Sequence, residues 1–120
     1  MRQLKSTDIF AALRVVKEIG IKEEMKDLAQ AIQKGPVSEQ KQREMGVELI
    51  MGILGNAGSQ QAENAVFRFL SGPTEISVEE LRDMDALDFV KKIGDLATSI
   101  DIEAWKAFFT SLVGQMKKSE

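Results

Sequence analysis

A chain of 120 residues, 43% apolar and 29% charged, has the size of one domain and enough apolar matter for a single modest core. Cysteine, histidine and tyrosine are absent, which excludes disulfides, thiolate–metal sites, imidazole ligands and the usual general base. The net charge of −3 is uneven, with seven Lys/Arg against five Asp/Glu in residues 1–34 and four against nine in residues 73–116, and an acidic half without a basic stripe argues against nucleic acid as a partner.

The first helix is expected to begin at Ser6 or Thr7, whose hydroxyl can accept a free amide hydrogen of the first turn. Asp8 adds negative charge at the positive end of the helix dipole. Ile9, Ala12, Leu13, Val16 and Ile19 recur at helical spacing, and Gly20 is a natural left-handed stop. Met25, Leu28, Ala29 and Ile32 repeat the pattern in a second helix that ends at Lys34-Gly35-Pro36.

Ser38 is placed to cap a third helix. Its opening turns are polar, but from Met45 onward Val47, Leu49, Ile50, Met51, Ile53 and Leu54 surround the cylinder. A helix apolar on nearly all sides is expected to be central and buried. Gly46, Gly52, Gly55 and Gly58 run through this stretch. Close approach of a neighbouring helix and a break near Gly55–Gly58 account for them. A phosphate-binding loop is rejected, because no strand precedes the glycines and no lysine follows them.

A fourth helix is expected from Ser59 to Ser71, with Ala62, Ala65, Val66, Phe69 and Leu70 inside. Phe67 lies off that face, either filling a gap under the next loop or free to meet another chain. Gly72-Pro73-Thr74 reads as the clearest break in the chain. Ser77-Val78-Glu79-Glu80 then forms a capping box for a short fifth helix, with Ile76 and Leu81 as a hydrophobic staple. Asp85 is placed to cap a sixth, whose face is Leu87, Val90, Ile93 and Ala97. The seventh starts near Asp101 and carries Ile102, Trp105, Phe108, Phe109, Leu112 and Met116. The expected architecture is all-α, a single compact domain of six to seven short amphipathic helices over residues 1–116, with 117–120 as a frayed tail.

Six carboxylates fall between Glu75 and Asp88, with only Arg82 among them. A calcium loop counted from Asp83 needs glycine at its sixth position and glutamate at its twelfth; the chain has Asp88 and Gly94 there, so the match fails. As catalytic acids they are unconvincing, since acids are expected in first turns of helices. No histidine is available to activate a serine or threonine. No enzyme, metal or cofactor is expected. The most apolar window, residues 47–54, is far shorter than the ~20 residues of a membrane span, and the charged start is not a signal peptide.

What remains is a protein-binding module with broad apolar helix faces. Lys5-Ser6-Thr7-Asp8-Ile9-Phe10 with Gly20-Ile21-Lys22, Met45-Gly46-Val47-Glu48-Leu49-Ile50, and Ser77-Val78-Glu79-Glu80-Leu81 followed by Met84-Asp85 resemble three parts of the tail assembly chaperones of long-tailed bacteriophages. The resemblance implies a small helical, non-enzymatic phage or prophage protein in the cytoplasm of the bacterial host. It implies binding to the tape measure protein, which is kept soluble, and help in recruiting tail tube protein through a frameshifted long form. Lys117-Lys118 invites a slippery codon sequence for that frameshift. The family has no compact binding motif; the partner surface is expected at Phe67, Phe108, Leu112 and Met116. A small helical adaptor or regulator of bacterial or phage origin is the alternative.

Overall fold

The structure, a computed structural model, describes residues 1–118. Among them the chain forms seven helices and no strand: α1 Ser6–Ile19, α2 Lys22–Gln33, α3 Glu39–Gly55, α4 Gln60–Thr74, α5 Val78–Asp83, α6 Ala86–Ser99 and α7 Ile102–Lys118. The radius of gyration is 13.4 Å, close to the roughly 14 Å of a compact domain of this length. The all-α single domain expected from the sequence is therefore the observed architecture. Of the expected tail, residues 117 and 118 continue α7, and 119–120 lie outside the described residues.

Local chemistry sets most helix ends. Gly20 adopts a left-handed φ of 77° and its amide bonds back to Val16 O at 2.8 Å. Ser38, Ser59 and Ser77 each accept an amide hydrogen three residues on, from Lys41, Ala62 and Glu80, all at 3.1 Å. Each satisfies one of the orphan donors of a first turn.

Three ends differ from expectation. α1 is not capped by Ser6 or Thr7. Its N-cap is Lys5, whose amide donates to the Asp8 carboxylate at 2.7 Å. The Gly72-Pro73 break is absent as well, because α4 runs through it to Thr74 and stops at Glu75, with φ 61°. Proline in a last turn forfeits one helical bond. Here Thr74 Oγ1 donates to Leu70 O at 2.6 Å, and the Glu75 amide returns to Ser71 O at 3.1 Å. Asp85 occupies the N-cap of α6 without making a side-chain cap bond.

The N-terminal segment is fastened to α4. The Arg2 amide donates to Pro73 O at 3.0 Å, and the Arg2 guanidinium grips both oxygens of Asp8 at 2.8 and 2.9 Å. Gly72 makes room, since a Cβ there would stand 2.6 Å from Arg2 Nη2 and 2.8 Å from Asp8 Oδ1. Burial pushes the Asp8 carboxyl up. The Arg2 guanidinium and the Lys5 amide outweigh it and hold the group below the ordinary carboxylate value.

α1 packs on α4, α7 and α2, and α2 also packs on α7. This layer holds the most enclosed side chains, including Val66, Leu70 and Leu112. Trp105, Phe108 and Phe109 of α7 form an aromatic cluster with centroids 5.5–5.8 Å apart, within the range of favourable ring contacts. Gln33 Nε2 ties α2 to α7 by donating to Thr110 Oγ1 at 2.7 Å.

α3 stands apart from this arrangement. Its close packing partner is α6. Gly46 permits the approach, since a Cβ there would lie only 2.6 Å from Ala97 Cβ. Gln42 Nε2 donates to the carbonyls of Ala97 and, at 2.8 Å, Ile100. Arg43 pairs with Asp95 at 3.1 Å. Only Ile50 and Ile53 of α3 are buried. The expectation of a central α3 is overturned: the helix is peripheral, and apolar residues that surround its cylinder cannot all face one partner.

Candidate protein-binding surface

The four residues expected to meet a partner divide sharply. Phe108, Leu112 and Met116 are 5%, 0% and 2% exposed; they face inward from α7 and belong to the core. Sequence spacing placed them on one stripe correctly, but that stripe is the inner one. Phe67 is half-buried. Its ring lies 5.8 Å from that of Phe89 on α6, with the Arg82 guanidinium 4.8 Å above it. It fills the junction of α4, α5 and α6, not a gap beneath Gly72-Pro73.

The large apolar side chains that do reach solvent are others. Leu87 is 76% exposed, Phe10 56%, Met1 46% and Met51 44%. The spacing of α6 places Leu87 on its inner face, yet the buried residues of that helix begin only at Ile93, with Leu96 and Ala97. Met51 lies on α3, where Val47, Leu49 and Leu54 are also only partly covered. α3 is thus an apolar helix left incompletely covered. The apolar residues of α3 run around the whole cylinder, so its sequence pattern marks no outer face.

Two concavities accompany these surfaces. The first, of about 90 Å³, lies where α3 faces the other layer and is lined almost wholly by apolar side chains, among them Met25, Met45, Leu49, Trp105 and Phe108. The second, of about 290 Å³, is an open groove between α1 and α4 lined by Ala11, Arg14, Glu18, Gln61, Asn64, Ala65 and Arg68.

The acidic stretch from Glu75 to Asp88 is largely solvated. Its one internal base, Arg82, bonds outward to Glu63 at 2.9 Å and to Asn64 on α4. No group of three or more acidic side chains among the described residues is arranged to hold a metal ion. Every buried side-chain nitrogen and oxygen among them has a hydrogen-bond partner. No helix among them is long and apolar enough to cross a membrane. Compared with protein-family models, curated proteins and solved structures, the chain has no match.

Proposed function

We propose that this chain is a non-enzymatic protein-binding factor of the phage tail assembly chaperone kind. In this reading it acts in the cytoplasm of the bacterial host, where it shields the apolar helical stripe of a tape measure protein and keeps it soluble. Tail tube protein is then recruited through a frameshifted long form. The family assignment is carried by the three quoted sequence stretches. The observation that supports a binding role is α3, an apolar helix left partly uncovered, with Met51 exposed on it and Leu87 exposed on its partner α6. Amphipathic helices of a partner commonly dock on such faces.

The site moves accordingly. Phe108, Leu112 and Met116 in their buried positions cannot contact a partner unless the core opens, and aspartate there would unfold the chain rather than test binding. Met51→Asp combined with Leu87→Asp is the informative variant. Co-expression with the tape measure protein of the same genome should bring that protein into the soluble fraction with the wild-type chain. The double variant should lose that effect while keeping its helical circular dichroism. Equal solubility of the tape measure protein with and without the chain refutes the reading. A gene lying away from tail tube and tape measure genes would favour the adaptor alternative. Absence of a slip site and an overlapping second frame would remove the long form.

A further inference from the structure

We infer that the groove between α1 and α4 is a docking site for an acidic helical segment of a protein partner. The inference shares with the chaperone reading only the premise that the occupant is a protein. It begins with the arginines. Of the five in the chain, Arg2 is paired with Asp8, Arg43 with Asp95 and Arg82 with Glu63. The remaining two, Arg14 and Arg68, have no carboxylate partner among the described residues, and both line this one groove from facing helices.

The fold explains how they come together. Asp8, at the start of α1, lies against Gly72, near the end of α4, so the two helices run antiparallel. Ala11 and Ala65 contribute only methyl groups to the lining, which leaves an open channel about 290 Å³ in volume flanked by longer polar side chains. Residues 11–18 of α1 extend along it for roughly 10 Å at the α-helical rise, about two turns. That length suits two carboxylates one turn apart on a bound helix.

The chemistry selects the occupant. A guanidinium offers a planar fork that matches a carboxylate in two parallel hydrogen bonds. Gln61 and Asn64 add amide groups along the α4 side. Glu18 is the one acid in the lining, so the groove carries two positive charges against one negative, on a chain whose net charge is −3. One turn before Arg14, on the same face of α1, stands Phe10, 56% exposed, an apolar contact for one end of an amphipathic helix. A nucleic acid backbone is poorly served by this arrangement, since it requires a continuous basic track and Glu18 would oppose it.

The test uses the full chain and a fluorescein-labelled helical peptide of 16 residues, designed with Glu at i and i+4 and a terminal Leu. Fluorescence anisotropy should show saturable binding that weakens as salt is raised. Arg14→Ala/Arg68→Ala should bind at least about tenfold more weakly, and Phe10→Ser several-fold more weakly, while a peptide with Gln in place of Glu should not bind. Both arginines are exposed, so circular dichroism and thermal unfolding of the double variant should match the wild type. Undiminished peptide binding by the double variant overturns the proposal. So does equal competition by inorganic phosphate or a DNA duplex. Sedimentation showing that the same arginines hold a second copy of the chain, to the exclusion of peptide, overturns it too.

Co-expression with the tape measure protein separates this proposal from the chaperone reading. If wild type and double variant both solubilise that protein, the groove is not its docking site and the chaperone reading stands. If neither does, while peptide still binds only the wild type, the chaperone reading falls and the groove stands.

Discussion

α3 and α7 are both 17 residues long and both rich in large apolar side chains, yet they have opposite fates. α7 buries Phe108, Phe109, Leu112 and Met116 on one stripe and packs on both α1 and α2. α3 buries only Ile50 and Ile53 and leaves Met51 in solvent. The difference lies in how apolar residues are distributed around the cylinder. A coherent stripe can be covered by one neighbouring layer, whereas residues facing all directions need partners on every side. In a chain this short there are too few other helices to supply them.

The largest effect should come from cutting into the coherent stripe. Leu112→Ala is expected to cost about 3–5 kcal/mol, as removal of a fully enclosed leucine side chain does, measured by urea unfolding. Gly46→Ala strikes a close approach of α3 to α6, forcing a methyl group against Ala97. The expected loss is about 1–3 kcal/mol, with α3 and α6 separating. An effect below 0.3 kcal/mol would mean that the close approach contributes nothing.

Hydrogen exchange should sharpen the contrast without any substitution. Amides in the middle of α7 should exchange through global unfolding, and those of α3 at least about tenfold faster through local opening. Equal protection in the two helices would show that α3 is as firmly held as α7. Gly52 sits inside α3 with no atom near enough to meet an added Cβ. Gly52→Ala should therefore raise stability by about 1 kcal/mol through helix propensity alone. The smallest effect is expected at Met51→Gln, within about 0.5 kcal/mol of the wild type, because the side chain it replaces is already solvated.

Much of the fold was legible because its signals act over a few residues. Ser38, Ser59 and Ser77 all lie at helix starts because a hydroxyl reaches an amide three residues on whatever the rest of the chain does. Gly20 stops α1 for a similarly local reason. Gly72-Pro73 misled because its usual effect as a break was offset from elsewhere in the fold, by Thr74 bonding back to Leu70 and Arg2 bonding to Pro73. Leu87 misled because the helical spacing of a first turn does not reveal whether a neighbour extends far enough to cover it.

The sequence by itself determined the all-α class, most helix starts and the apolar stripe of α7, though not which way that stripe faces, since capping, glycine stops and helical periodicity are local properties. Only the tertiary structure decided that α3 lies at the edge, that Phe67 sits beside Phe89, and that Asp8 is enclosed by Arg2. The tertiary structure alone also brought Arg14 and Arg68 to one groove, neither of them ion-paired among the described residues. Those outcomes depend on which face of one element another can reach, and facing pairs such as Arg14 and Arg68, or Phe67 and Phe89, lie too far apart in the chain for a local pattern to specify.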